Sequence, residues 1–310
     1  MKYIYTHIKE FFKISDWSED IKGPFGLQPP PGDWAEFKRR IAELQQQCPE
    51  GEGVKVVFAA RHGQAEHNTI KERYQIPDDI VRSCCYLMCK GKWPSAQGQI
   101  LHPILDPDLT DLGRSQAAAL SYALQREFKR GMPLPNKWYV SPMKRAGETC
   151  GIEWGWLFEE NKGKGKSQGV PATVIENLRE HLHVHECDKR SSLSDLQRDF
   201  PSFTYTSETT EEDELWQPGE VRNRETEEEL VARCGAGIAQ VLDMSKDSIC
   251  AYRMQGGERF IVDITFLADI SITSHSGALR GICKSLGVPS RSLIVGEMNI
   301  FVLRVKKIGE

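Results

Sequence analysis

A histidine between an arginine and a glycine, Arg61-His62-Gly63, directly follows the apolar run Val54-Lys55-Val56-Val57-Phe58-Ala59-Ala60. A β-prone run ending this way carries an imidazole and a guanidinium to the tip of a buried strand, and Gly63 lets the backbone turn there. An imidazole nitrogen so placed is a nucleophile for a phosphoryl group, and the cation beside it can hold the oxygens. Three further segments repeat the pattern. Ser141 to Thr149 follows Trp138-Tyr139-Val140 and supplies Arg145. Glu176-Asn177-Leu178-Arg179-Glu180 follows Ala172-Thr173-Val174-Ile175 and supplies a carboxylate. Ser274-His275-Ser276-Gly277 follows Ile270-Ser271-Ile272-Thr273 and supplies a second imidazole. Groups placed just beyond strand ends converge at one edge of an open α/β sheet, where ligands of such sheets sit.

These stretches resemble the histidine phosphatase superfamily, also called phosphoglycerate mutase-like. The resemblance rests on R-H-G-Q-A-E-H-N at 61–68, L-T-D-L-G-R-S-Q-A at 109–117, S-P-M-K-R-A-G-E-T at 141–149, E-N-L-R-E at 176–180 and S-H-S-G at 274–277, in the family's order. Residues 179–190 and Leu215-Trp216-Gln217-Pro218 further resemble a fungal and plant phosphomutase-like branch. The resemblance implies a three-layer α/β/α sandwich with a mainly parallel central sheet, and no cofactor or metal.

It also implies roles. His62 is the nucleophile that forms a phosphohistidine, and Arg61 and Arg145 grip phosphate oxygens. His275, protonated, adds charge as the transition state forms. Asn68 and Ser276 add neutral hydrogen bonds. Glu180 protonates the leaving group and later deprotonates the attacking water; Arg179 beside it points elsewhere. His181, His183 and His185 alternate, so on a strand they would share a face that could bind zinc. Lys189 and Arg190 are either a site for a second anionic group or an exposed charged turn. The expected substrate is a small phosphomonoester. A phosphomutase shares every step up to phosphohistidine, and a non-catalytic phospholigand-binding protein is the reading from another class.

The elements that must position these groups follow from periodicity and capping. Asp33 caps a helix from Trp34 to about Gln47 with Trp34, Phe37, Ile41 and Leu44 on one side. Phe25 and Trp34 either pack with that helix or line the mouth of the site. Thr110 caps a second helix whose apolar face would hold Leu112, Ala117, Leu120, Ala123, Leu124 and Phe128, ending at Gly131 and Pro133. Thr226 and Glu229 fit a capping box after a stretch of ten carboxylates between 205 and 229, read as a solvated cap. Residues 1–53 form an arm packed on the core, and 54–310 a single phosphatase domain with insertions near 69–105, 181–229 and 244–268. The last insertion holds the strand-like run Arg259 to Leu267. It is either a hairpin native to the fold or the product of a mis-assigned exon.

Composition narrows the classes. The 310 residues carry 40 Lys and Arg against 44 Asp and Glu, a net charge of −4. That balance argues against a general nucleic-acid or membrane-surface binder. Nine cysteines, an odd count with no C-x-x-C pair, read as reduced thiols. No signal-like segment opens the chain and no stretch is apolar enough to span a bilayer, so a cytoplasmic location is expected. Oligomeric state is left open.

Overall fold

The computed structural model describes residues 3–13, 20–29, 32–49, 51–69, 93–94, 100–101, 105–161, 163–183, 185–216, 224–255, 258–267, 269–289 and 292–308. For 93–94, 100–101, 246–255 and 258–267 the description is of the backbone. Most of the expected 69–105 insertion lies outside the described residues, as do Gln217 and Pro218.

Seven strands form the central sheet. In chain order they are β1 (Tyr3–His7), β2 (Glu52–Arg61), β5 (Lys137–Val140), β6 (Thr173–Val174), β7 (Thr204–Tyr205), β10 (Ile270–Ser274) and β11 (Met298–Lys307). The short pair β3 (Trp93–Pro94) and β4 (Ile100–Leu101) and the pair β8 (Lys246–Gln255) and β9 (Glu258–Leu267) stand apart as two-stranded sheets. The spatial order is β1-β11-β2-β10-β5-β6-β7. β2, β10, β5, β6 and β7 run parallel, while β11 is antiparallel to β2 and to β1. The sheet is therefore mainly parallel, as expected. Tyr3–His7, within the stretch read as an arm, is its edge strand. The run 258–267 pairs with 246–255 as a hairpin rather than joining the central sheet.

Alternation along β2 shows why three layers form. Val54, Val56, Phe58 and Ala60 face one core, and Val57 and Ala59 face the other. The first core is closed by helices α1 (Trp34–Gln46), α2 (Asp111–Lys129), α3 (Lys144–Trp154) and α4 (Leu193–Asp199). The second is closed by α5 (Glu227–Met244) and α6 (Ser276–Leu286). Strands buried on both faces are apolar on both, a large side chain such as Val or Phe contributing about 1.5–3 kcal/mol when fully enclosed, and the buried Lys55 of β2 is met by Ser245 Oγ at 2.9 Å. The caps are the expected ones. Asp33 accepts from Ala35 N, Thr110 from Gly113 N, and Thr226 with Glu229 completes a capping box.

One expectation about packing changes, and one pair of alternatives is decided. Leu112 and Phe128 are 55% and 43% exposed, so the buried stripe of α2 is narrower than its periodicity allowed. Phe25 and Trp34 do not line the site mouth. They are buried among Phe11, Phe12 and Phe37, and Trp34 Nε1 donates to Glu127 Oε2 at 3.0 Å. No helix among the described residues is long and apolar enough to cross a membrane.

Candidate active site

Register aligns the strand tips. Thr273 lies beside Ala60 and Val140, Ser274 beside Arg61, and Val140 beside Val174. The residues one or two steps further on, His62, Ser141, Glu176 and His275, therefore emerge at the same edge. The backbone continues the ladder there, with His62 N donating to Ser274 O at 3.0 Å and Ser141 N to Thr273 O at 3.1 Å.

The rings of His62 and His275 lie 5.0 Å apart, centre to centre. His62 Nδ1 is 2.7 Å from its neighbour's carbonyl, Gly63 O. A carbonyl only accepts, so Nδ1 carries the proton and Nε2 keeps its lone pair. Burial, then the charges of Arg145 and Arg61, push the His62 pKa well below its ordinary 6.5. The Gly63 loop is fixed by a close approach to α2. A Cβ on Gly63 would lie 2.4 Å from Gly113 O, and one on Gly113 2.0 Å from Gln64 O, which accounts for the glycine in the 109–117 stretch.

Arg145 is 1% exposed. It donates to Cys187 O at 3.0 Å and Asp188 Oδ1 at 2.7 Å, and its Nε has no partner among the described residues. Arg61 Nη1 donates to Leu293 O at 2.6 Å, and its Nε too is buried without a partner among the described residues. His275 Nε2 lies 2.8 Å from Ser141 Oγ. Burial, then Arg145 and His62, push its pKa well below 6.5. In the free site, burial and the neighbouring cations thus favour the neutral ring.

Glu180 Oε2 accepts from Gly277 N at 2.9 Å and Oε1 from His181 N at 3.0 Å. Asn68 Oδ1 accepts from Ala65 N at 2.9 Å. Arg61, His62, Asn68, Arg145, Glu180 and Ser276 line a cavity of about 350 Å³, with His275 buried behind His62. A larger apolar groove of about 740 Å³, between α5 and β1, holds none of them.

Other groups on the cavity wall were not anticipated as site residues: His67, Asp188, Arg224 and Arg280. His181 and His185 line it as well, but not as a strand face. His183 takes φ +61° and its ring stacks on Trp216 at 5.2 Å, which breaks the alternation. No group of three or more His, Cys, Asp or Glu among the described residues is arranged to hold a metal ion. Arg190 is buried, ion-paired with Glu176 at 2.9 Å and donating to Thr210 O and Glu212 O, so it does not line the cavity. Two acids of the supposedly solvated 205–229 stretch are also inside. Asp213 binds both terminal nitrogens of Arg179, at 2.6 and 2.7 Å, and Glu225 holds Arg233.

The sequence profile described as the histidine phosphatase superfamily (branch 1) matches residues 85–252, more than half of the chain. The chain belongs to that superfamily, whose members are phosphatases and mutases acting on phosphoesters. The matched span contains Arg145 and Glu180; it begins after His62 and ends before His275. A "Probable phosphoglycerate mutase" of Arthroderma benhamiae is 26% identical over 306 residues, covering 97% of this chain and 79% of the relative. A "Probable phosphoglycerate mutase" of Saccharomyces cerevisiae is 29% identical over 248 residues, covering 76% and 73%. Among solved structures, a phosphoglycerate mutase from Bacillus anthracis str. Sterne aligns over 83% of this chain and 94% of its own, with a TM-score of 0.44 and 11% identity.

Proposed function

We propose that the protein is a histidine-dependent phosphatase that hydrolyses small phosphomonoesters through a phosphohistidine. The observation that carries this is the tautomer of His62. Its Nδ1 proton is held by Gly63 O, so the basic Nε2 is the atom left to attack. The guanidinium side chains of Arg61 and Arg145 on the cavity wall match the need for cationic donors to phosphate oxygens.

In the first step the Nε2 lone pair forms the N–P bond while the bond to the ester oxygen breaks, and Glu180 gives that oxygen a proton. In the second, Glu180 takes a proton from water, the water oxygen bonds to phosphorus, and the N–P bond returns its pair to Nε2. Among the described residues Glu180 and Asp188 are the carboxylates on the cavity wall, and Asp188 is occupied by Arg145. Glu176 is held by Arg179 and Arg190 and does not line the cavity. A mutase reading, suggested by the names of the curated relatives, differs only in the acceptor of the second step. A cytoplasmic location accompanies this reading, since the described cysteines Cys48, Cys150, Cys187, Cys234 and Cys283 are all free.

The test is phosphate release and acid-labile labelling by phosphorylated metabolites. His62→Ala should lose both, turnover falling by about 10³-fold or more. Glu180→Gln should slow phosphoenzyme formation from alkyl esters by about 10²–10⁴-fold and spare that from p-nitrophenyl phosphate, whose leaving group needs no proton, while dephosphorylation, which uses Glu180 as base, slows for both. Activity and labelling that persist in His62→Ala would overturn the assignment. Stoichiometric return of phosphate to an isomer instead of to water would select the mutase.

A further inference from the structure

A proton donor must stay over the ester oxygen, yet Glu180 sits on chain with little regular structure of its own. Residues 176–178 make one 3-10 turn, and 179–183 belong to no helix or strand. A guanidinium from α5 holds this segment from behind. Arg233 Nη1 donates to Asn177 O and Arg179 O, both at 3.1 Å, and Nη2 donates to Glu180 O at 3.0 Å. Its remaining donors form a fork on Glu225, Nε to Oε1 at 2.7 Å and Nη2 to Oε2 at 2.8 Å. A guanidinium has five N–H bonds, and all five are used. Glu225 closes the other side, accepting from Leu182 N at 3.0 Å while its own N donates to Leu182 O at 3.2 Å. The pair thus fixes backbone groups on both sides of residue 180. Arg233 is not on the cavity wall.

We propose that Arg233, oriented by Glu225, is a positioning residue for Glu180: it sets proton delivery to the leaving group without touching the substrate. This rests on the reading of Glu180 as general acid. The geometry demands arginine. Three carbonyls and a carboxylate surround one planar fork, and a lysine ammonium has three donors on a point charge. Arg233→Lys keeps a cation beside Glu225 but cannot reach all four acceptors together. The carboxyl of Glu180 would then drift by a fraction of its own width. A misplacement of about 1 Å costs catalysis on the order of 10²-fold.

The experiment compares wild type, Arg233→Lys, Glu180→Gln and the double variant, each on an alkyl phosphate and on p-nitrophenyl phosphate, with circular dichroism and thermal melts as the check on folding. The expected result is a loss of kcat of about 10- to 10²-fold on the alkyl ester in Arg233→Lys, with KM changed by less than about 3-fold. Phosphoenzyme formation from the aryl ester should be nearly unchanged. In the Glu180→Gln background, Arg233→Lys should add less than about 3-fold, because coupled residues do not add. Equal losses in the rate of phosphoenzyme formation from both esters, or a full additional loss in the double variant, would overturn the clamp. If Arg233→Lys does not fold, Glu225→Gln, which keeps the volume and loosens the fork, carries the same test: a loss confined to the alkyl ester supports the clamp and a uniform loss overturns it. The two readings fail separately. A wild type with His62-dependent labelling and a selective Glu180→Gln defect, but no selective Arg233→Lys defect, sinks the clamp alone. A wild type with no His62-dependent phosphoenzyme sinks the functional reading and the clamp with it.

Discussion

His62 on the cavity wall and His275 behind it stand at the ends of paired strands, whereas Glu180 and Asp188 reach the cavity from irregular chain. The strand wall is placed by backbone hydrogen bonds. Ser274 lies beside Arg61, and the ladder runs on through His62 N and Ser141 N. The loop wall is placed by buried guanidinium groups. Arg179 binds Asp213 and Asp188 O, Arg190 binds Glu176 and the carbonyls of residues 210 and 212, and Arg233 binds the 177–180 backbone. A ladder tolerates the loss of one side-chain bond, because its neighbours hold the register. A buried ion pair does not, because the surviving partner is left charged in a medium that cannot solvate it. The two walls of one site should therefore break differently.

The largest expected effect is at Asp213. Burial disfavours its ionised form, but the bonds and charge of Arg179 outweigh that and hold its carboxyl below the ordinary 3.8. Asp213→Ala removes the two-pronged partner of Arg179, whose side chain is 1% exposed, and leaves it only the longer pair with Glu176 at 3.4 Å among the described carboxylates, which should cost about 3 kcal/mol in denaturant unfolding. The matched change on the strand wall is Ser274→Ala. It removes one buried bond, Ser274 Oγ to Leu178 O at 2.6 Å, and should cost about 1 kcal/mol. Equal costs at the two positions would mean that the walls are not held by different means.

A smaller effect tests where the walls meet. A Cβ on Gly277 would lie 2.1 Å from Glu180 Oε1 and 2.7 Å from His181 Cδ2. Gly277→Ala must therefore move the Glu180 carboxyl. The same change adds a helix-favouring residue to the first turn of α6, worth about 0.5–1 kcal/mol. Activity on alkyl phosphates should fall by about 10²-fold while the melting temperature holds or rises. A parallel fall in activity on aryl phosphates would show that the displaced group does more than deliver a proton.

The same contrast governs what could be read from the chain. An apolar run followed by a charged or imidazole residue is a local signal, so the strands that lead to His62, Arg145 and His275 were legible without knowing their neighbours. So was the capping at Asp33, Thr110 and Thr226. Asp213 was not legible, because its partner Arg179 lies 34 positions away and its own surroundings are acidic. Arg233 and Glu225 were hidden for the same reason. The His181, His183, His185 alternation misled because period two has meaning only for a strand with a partner, and the left-handed backbone at His183 interrupts it. Leu112 and Phe128 fit the helical period of α2, but the stripe buried against the sheet is narrower than the period permits.

The smallest expected effect is an absence of change, and it probes the strand wall alone. An ordinary histidine, with a pKa near 6.5, would lose about half of its neutral form at pH 6.5. Protonation removes the lone pair, so its nucleophilic rate would halve there. In His62 burial, then the charges of Arg145 and Arg61, push the pKa well below that value, so the neutral ring persists as the pH falls through 6.5. Phosphoenzyme formation should therefore stay level between pH 7.5 and 6.5. The measurement needs an aryl phosphate electron-poor enough to remain a dianion across that window, so that substrate ionisation and Glu180 both drop out. Arg145→Met removes one of the depressing charges and should move the acid limb to higher pH than in the wild type, at a lower overall rate. A half-loss at pH 6.5 in the wild type would place the His62 pKa near its ordinary value. Two buried guanidinium groups would then fail to act on a ring they surround, and the strand wall would owe its chemistry to geometry alone.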